Sequence, residues 1–358
     1  MRYKLLGKSG LRVSELCLGT MTFGEDWGWG ADHNTSKQIF DTFLEAGGNF
    51  IDTANLYTAG TSEKYVGEFV KADRDALVVA TKYTLTGARN NNTTETRPNV
   101  VGNHRKNMIQ SVEASLKNMN LDYIDILYVH AWDFLTPVQE VMRALDDLVR
   151  QGKILYVAAS DTPAWITSQA NVMADLMGWS RFLGIQAPYS LLRRDLERAI
   201  MPMARQQDMA VLPWGILHSG ILTGKFLQDV DEPTRVDPNS LNLSQQELAT
   251  VQAVIKIADE IGKPPAQVAI NWVRGQQHKA QIIPILGARK LSQLQDNLAC
   301  LNWSLSQDHL DHLDTVSAID LGFPQTFITA NPYIYGDTFD LIDNHRHEMP
   351  VPVVKESS

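Results

Sequence analysis

Short apolar runs alternate with helical patterns along most of the chain. Eight of the runs read as strands: Leu16–Thr20, Phe50–Ala54, Leu77–Lys82, Ile124–His130, Ile154–Ser160, Gly184–Pro188, Ala210–Trp214 and Ile282–Leu286. They are nearly continuous in Val, Ile and Leu and lack strict alternation, the pattern of parallel strands covered on both faces by helices. The segments between them carry helix punctuation. Thr136-Pro137-Val138-Gln139 has capping-box spacing with Pro at the first helical position, then Val141, Leu145 and Leu148 on one face and Gly152 as the stop. Ser244-Gln245-Gln246-Glu247 opens another helix through Leu248, Val251, Ile255 and Ala258, closed by Gly262 with Pro264 beyond. Ile109, Val112, Leu116 and Met119 keep a third in register on a 3.6-residue period.

Eight strands, each followed by helix and with no linker between lobes, predict an α/β fold: a single closed (β/α)8 TIM barrel, not an open doubly wound sheet. Residues 1–14 read as an N-terminal hairpin, Arg2–Leu6 and Leu11–Val13 around Lys8-Ser9-Gly10, which would plug the bottom of the barrel. The barrel is expected over residues 15–319. Residues 320–358, with Pro324, Pro332, Pro350 and Pro352 and no clear period, form an extension that could fold over the mouth as a lid.

Composition adds exclusions. Of the 358 residues 44% are hydrophobic and 20% charged, which is globular arithmetic. The net charge of −9 argues against a broad nucleic-acid surface, while leaving room for a local pocket for one phosphate. Cys17 and Cys300 stand in apolar runs and read as core filler. No run is long enough to span a membrane, and the first residues lack a signal-peptide apolar region, so a soluble, cytoplasmic protein is expected. Several tempting motifs fail. Gly7-Lys8-Ser9 has Arg2 where a phosphate loop needs its first glycine. Gly28-Trp29-Gly30 is followed by His33 where the dinucleotide fingerprint needs a third glycine. His345-Arg346-His347 is half a metal site in a polar tail, and metal is not expected; a metal-dependent barrel hydrolase would want such a pair on an early strand.

Barrel active sites form where the strands end, so polar residues at those ends matter most. Asp52 ends the second run, with Tyr57 on the loop after it; Lys82 ends the third and His130 the fourth. Singly, each has an ordinary structural explanation. Together they bring an acid, a phenol, an ammonium and an imidazole to one mouth. At this point the chain resembles the aldo-keto reductases, particularly the branch of aryl-alcohol dehydrogenases and potassium-channel β subunits. The resemblance is carried by Leu16-Cys17-Leu18-Gly19-Thr20-Met21-Thr22-Phe23-Gly24, Asp52-Thr53-Ala54-Asn55-Leu56-Tyr57, Ala80-Thr81-Lys82, Leu121-Asp122-Tyr123-Ile124-Asp125 leading to His130, Gly152-Lys153-Ile154-Leu155-Tyr156, and Ile283-Pro284-Ile285-Leu286-Gly287-Ala288-Arg289.

The resemblance implies NADP(H)-dependent reduction of aldehydes and ketones. Its catalytic tetrad would be Asp52, Tyr57, Lys82 and His130, with the Tyr57 phenol as proton donor, its pKa lowered by Lys82, Lys82 balanced by Asp52, and His130 orienting the substrate oxygen. It further implies that Thr20, Met21 and Asp52 line the cofactor, that Ser160, Asp161 and Gln186 hold the nicotinamide carboxamide, and that Trp214 stacks on the ring. Gly215, Ile216, Leu217, His218, Ser219 and Lys225 would line the pyrophosphate, with Arg235 as a further clamp. Gly287, Arg289, Gln293, Asp296 and Asn297 would take the remaining phosphate and adenosine, the first turn of a helix supplying N–H groups and Arg289 the charge that a 2′-phosphate wants. Two positions depart from the family pattern: Gly215-Ile216 replaces a frequent Ser-Pro, and Asp161 stands where Asn, Ser or Arg is common. Trp27, Trp29 and Trp132, with Phe134, Phe323, Phe327 and Tyr333, would build an apolar substrate wall. Glu25, Asp26 and Asp133 would repel an anionic substrate. The partner expected is a small-molecule carbonyl compound, without nucleic acid or membrane, and the sequence carries no signal of oligomeric state. The competing reading is a nucleotide-binding sensor subunit of the same fold; the presence of His130 favours the enzyme.

Overall fold

The computed structural model describes residues 1–85, 98–225 and 242–328, with residues 334, 336 and 341. A hairpin of β1 (Tyr3–Leu5) and β2 (Arg12–Ser14) comes first. The chain then runs β3 (Cys17–Gly19), α1 (His33–Glu45), β4 (Phe50–Asp52), α2 (Thr61–Phe69), β5 (Val78–Tyr83), α3 (Arg105–Met119), β6 (Ile124–Val129), α4 (Val138–Arg150), β7 (Ile154–Ser160), α5 (Ala164–Met177), β8 (Phe182–Pro188), α6 (Ile200–Gln206) and β9 (Ala210–Trp214). It finishes with α7 (Gln245–Ile261), α8 (Pro265–Gly275), β10 (Gln281–Ile282), β11 (Ile285–Gly287), α9 (Leu291–Leu298), α10 (Gln307–Val316) and α11 (Gln325–Ile328).

All strands from β3 onward are parallel, in the order β10-β9-β8-β7-β6-β5-β4-β3-β11. The two edge segments, β10 and β11, are halves of one run, so the sheet closes on itself as a barrel. The run expected as one strand over Ile282–Leu286 is split because Pro284 has no N–H for a ladder. Its neighbours change hands there: Ile283 N donates to Val211 O at 2.9 Å, and Cys17 N donates to Pro284 O at 2.9 Å.

Two apolar layers follow. Cys17, Phe50, Val78, Ala80, Ile126, Tyr128, Ala158, Leu212 and Ile283 point into the barrel, and fully buried Leu6 and Val13 of the hairpin region join them. The hairpin thereby stops the end opposite the active-site mouth. Lys4 Nζ donates to Ile282 O (2.8 Å), and Gly7 N donates to Gln281 Oε1 (2.9 Å). Gly7, at φ +47°, leaves no room for a side chain, since a Cβ would lie 2.3 Å from Leu183 O. The larger cluster packs the outer strand faces against the helices.

Of two expected caps, one is present and one is not. Ser244 and Glu247 form the full capping box of α7, and Gly262 ends that helix at φ +61°. Thr136 does not cap α4, whose first residue, Val138, follows Pro137 at the cap position. The Thr136 hydroxyl donates instead to Asp133 Oδ2 (2.8 Å), which also takes Asn103 N (2.6 Å), a local hydrogen bond that outcompetes the cap.

Helix α2 is the element whose placement matters most to the site. Ser62 Oγ donates to Thr20 O (2.7 Å) and lies 2.9 Å from the hydroxyls of both Thr20 and Thr53. Fully buried Glu63 accepts from Thr81 Oγ1 (2.8 Å) and Asn118 Nδ2 (3.0 Å); burial raises its carboxyl pKa, the hydrogen bonds only partly offsetting this. Gly67 permits the close crossing with α3, because a Cβ there would lie 2.1 Å from Met119 O. Gly→Ala inside a helix ordinarily stabilises by about 1 kcal/mol. Here Gly67→Ala is expected to destabilise by about 1–3 kcal/mol through overpacking, read as a lower urea midpoint at unchanged slope. A higher midpoint would refute the close-crossing argument.

Candidate active site

Asp52 is the last residue of β4, and Lys82 lies in the adjacent β5, whose Ala80 is in register with Asp52. The extended path continues past the strand end through Thr53 N to Ala80 O (2.9 Å) and Asn55 N to Lys82 O (3.3 Å). The chain then turns sharply at Tyr57–Gly60, where Thr58, Ala59 and Gly60 take successive left-handed conformations (φ 44°, 57° and 91°). Such positions cost a non-glycine residue on the order of 1–3 kcal/mol. Side chain–backbone bonds hold the turn: Thr58 Oγ1 donates to Phe23 O (2.5 Å) and accepts from Ser62 N (3.1 Å). The result aims the Tyr57 phenol back over β5.

Lys82 Nζ is fully buried and has three partners: Asp52 Oδ2 at 2.6 Å, Thr53 O at 2.8 Å and Tyr57 OH at 3.3 Å. Asp52 Oδ1 accepts from Gln186 Nε2 at 3.0 Å. The rings of Tyr57 and His130 meet edge to face at 6.1 Å. The three residues read from strand ends and Tyr57 from the loop thus stand in one cluster, with Gln186 joined to it.

Burial works against the Lys82 ammonium, but the charge and hydrogen bond of Asp52 outweigh it, and the amine ends above its ordinary value. Lys82 draws the Tyr57 pKa down as expected, by charge and hydrogen bond, but does not leave it below the usual value. Burial is the largest influence on the phenol and raises it above the usual value, with Lys82 opposing. The His130 imidazole is pushed down to about 3, by burial first and Lys82 second, so its ring is neutral. Its Nδ1 is buried without a hydrogen-bond partner, as are Asn55 Oδ1 and the Tyr128 hydroxyl.

The other candidates divide. Thr20 is fully buried, and its hydroxyl is occupied with Asp52 O (2.9 Å) and Ser62; Met21 is partly exposed. Ser160 is buried beside Gln186 in the sheet, and exposed Asp161, at φ +41°, donates its N–H to Gln186 O (3.1 Å). Trp214 is 39% exposed at the end of β9 and is no core residue. After it, Gly215, His218, Ser219 and Gly220 all have positive φ, with Ile216 buried and Leu217 half-buried. Lys225 is exposed, and Arg235 lies outside the described residues. Gly287 is open at the end of β11, and Arg289 follows, half-buried. The N–H groups expected to be open for phosphate at the start of α9 are partly taken: Gln293 Oε1 accepts from Arg289 N (3.0 Å) and Lys290 N (3.2 Å). Asp296 accepts from Gln267 (2.9 Å), and Asn297 is buried. Trp27 lies edge-on to Tyr57 at 6.5 Å and packs on Trp29 at 5.7 Å, whereas Trp132 is buried in the outer core.

Two residues escaped the sequence reading. Tyr128 shares the inward face of β6, two positions before His130, and places its ring 5.6 Å from Lys82 Nζ. Strand alternation was the signal available for it. Arg193, in the loop after β8, directs its charge at both Asp161 and His218; that loop has no period to read. Among the described residues no group of three or more His, Cys, Asp or Glu is placed to hold a metal, and no helix is long and apolar enough to cross a membrane. His345 and His347 lie outside the described residues.

Comparison with known proteins agrees with this geometry. The aldo/keto reductase family model matches residues 15–318, and the chain belongs to that family and is an oxidoreductase. It is 38% identical over 335 residues to a norsolorinic acid reductase of Aspergillus flavus, covering 92% of this chain and 84% of the relative. It is 40% identical to norsolorinic acid reductase B of Dothistroma septosporum (92% and 85%) and 39% identical to an NADP(+) aryl-alcohol dehydrogenase of Phanerodontia chrysosporium (88% and 85%).

The electrostatics make a direct prediction. An ordinary histidine takes up a proton at about pH 6.5. His130, whose pKa lies near 3, should remain neutral from mildly acidic to alkaline pH. In an NMR titration, the imidazole signal that disappears in His130→Gln should not move through neutrality; a midpoint between pH 5.5 and 7.5 contradicts the buried, lysine-facing placement.

Proposed function

We propose that the protein reduces neutral aryl aldehydes and ketones to alcohols with NADPH, Tyr57 being the proton donor. The observation that carries this reading is the contact of the Tyr57 hydroxyl with Lys82 Nζ at 3.3 Å, the ammonium being held in turn by Asp52 at 2.6 Å. The residues present fit a nicotinamide dinucleotide. Trp214 offers an exposed aromatic face at a strand end, and a Cβ at Gly215 or Gly220 would meet nothing within 4 Å, leaving backbone open to approach. Buried Asn55 Oδ1 and His130 Nδ1 lack partners at the mouth. Trp214 would stack on the ring, Ser160 and Asp161 would meet the carboxamide, and Arg289 with Lys290 would hold the 2′-phosphate.

When bound, the reduced nicotinamide supplies a hydride to the carbonyl carbon. The Tyr57 O–H, kept protonated by its buried setting, gives its proton to the carbonyl oxygen as negative charge grows there. Lys82 then faces the phenolate and stabilises it, and Asp52 keeps the ammonium from standing as an uncompensated buried charge. The neutral His130 ring carries one N–H to orient the same oxygen. Trp27, edge-on to Tyr57, and Trp29 behind it give an apolar wall suited to an aryl group. The name of the aryl-alcohol dehydrogenase relative supports that choice, and its NADP(+) supports the cofactor. The described tail is tied to the loop after β8, on the mouth side of the barrel, by Arg198 Nε to Asp320 O (3.0 Å) and by Gln325 to Arg198 O. It carries exposed Phe323 and Phe327 there, which supports a lid.

Tyr57→Phe keeps the ring and removes the proton. Carbonyl reduction should fall by roughly two orders of magnitude or more, the scale of general-acid catalysis, with NADPH binding little changed. Near-normal turnover in steady-state assays of that variant would sink the mechanism.

A charge-assisted contact to phosphate is worth about 1.5–3 kcal/mol, so Arg289→Ala should weaken NADPH roughly ten- to hundredfold in a binding titration and NADH little. Equal weakening of both cofactors means that Arg289 does not read the 2′-phosphate.

A further inference from the structure

Gln186 joins the tetrad to the loop beside it. Its side chain is 3% exposed, within the barrel mouth. Its Nε2 donates to Asp52 Oδ1 (3.0 Å), leaving Oδ2 for Lys82 (2.6 Å). The two carboxylate oxygens are therefore divided between two donors, and neither oxygen can take the other's place without breaking a buried hydrogen bond. Through its backbone the same residue accepts from Asp161 N (3.1 Å) and stands in register with Ser160. The family resemblance placed Gln186 on the cofactor amide; in this structure one of its two amide N–H groups goes to the tetrad, leaving the other N–H and the carbonyl for such a contact.

We infer that Gln186 is a positioning residue of the tetrad, holding the Asp52 carboxylate so that a single oxygen faces Lys82. This rests on the tetrad chemistry proposed above. The amide N–H also draws part of the carboxylate's charge away from Lys82 and Tyr57. The groups facing Tyr57 are Lys82, Asp52, Asp161 and the His130 ring; those beside Asp52 are Lys82, Tyr57, Tyr128 and Cys17. Of these only Lys82 is a cation, and Asp52 opposes its effect on the phenol. Without the Gln186 N–H, Asp52 acts as a stronger anion, and Tyr57 ionises at higher pH.

The test uses Gln186→Met, which keeps length and apolar volume but has no N–H. The alkaline limb of kcat for aldehyde reduction should move up by about half a pH unit or more, because the phenol stays protonated longer. Alcohol oxidation, which needs the phenolate, should fall about threefold or more at a fixed pH below that limb, while KM for NADPH changes less than twofold. A tyrosinate difference spectrum between Gln186→Met and its Tyr57→Phe double variant should show the same upward shift without any turnover. The inference is overturned if NADPH binding weakens with the limb unmoved, which would make Gln186 a cofactor contact alone. Activity surviving in Tyr57→Phe would defeat the tetrad itself; an inactive Tyr57→Phe beside an unshifted Gln186→Met defeats only this inference.

Discussion

The ion pair between Asp52 and Lys82 is the constraint around which the rest is arranged. Neither partner has appreciable exposed surface. Two charges taken out of water lose several kcal/mol of solvation each, and losing one partner alone typically costs about 3–5 kcal/mol. Such a pair survives only where its remaining hydrogen-bonding capacity is filled and water is kept from one side. Thr53 O and Tyr57 OH complete the ammonium, and Gln186 completes the carboxylate. The apolar barrel interior, stopped by Leu6 and Val13, keeps the underside dry. The lysine stays charged there because Asp52 outweighs the burial that works against it.

The proposed reactivity then depends on where one loop turns. Tyr57 reaches Lys82 only because the three residues after it adopt left-handed conformations, two of them in non-glycine residues. The strain is held by contacts distant from the chemistry: Thr58 on Phe23, and Ser62 on Thr20 and Thr53. Helix α2 supplies Ser62, and α2 is itself fixed by Glu63 and by the backbone contact at Gly67. Packing between two helices is thus transmitted to a phenol through a short series of buried hydroxyls. Thr20, expected to face the cofactor, serves in that series with its side chain.

The sequence showed the parts governed by period and composition. Parallel strands buried on both faces leave continuous apolar runs, and a strand-end Asp, Lys and His mark the mouth whichever helix follows. It failed where two local interactions compete. Thr136 has the right spacing for a cap, but Asp133 is the nearer acceptor. The local bonds of Gln293, whose side chain reaches back to the N–H groups of Arg289 and Lys290, also have no period to announce them. Trp132 has the composition of a substrate wall and packs into the outer core instead. The pKa of Tyr57 was misjudged for a related reason: a neighbouring lysine can be read from strand ends, while the degree of burial that outweighs it depends on the whole fold.

The charge states give the site a character that no one residue announces. Lys82 is neutralised by Asp52, the Tyr57 phenol is protonated and the His130 imidazole is neutral. The cluster therefore carries almost no net charge before reaction, although it contains an ammonium and a carboxylate. In the proposed mechanism it answers to charge that develops during reaction, through an O–H, an N–H and an ammonium already fixed in direction, and such preorganisation acts on the transition state more than on the bound substrate. A substrate carboxylate would find Lys82 already compensated and would meet the indoles of Trp27 and Trp29, with Glu25 and Asp26 exposed close by in the chain. A neutral aromatic carbonyl compound gives up only its weak hydration to enter the same place. On the proposed function, the balance between a compensated pair and an apolar wall is what would direct this mouth toward neutral aryl substrates.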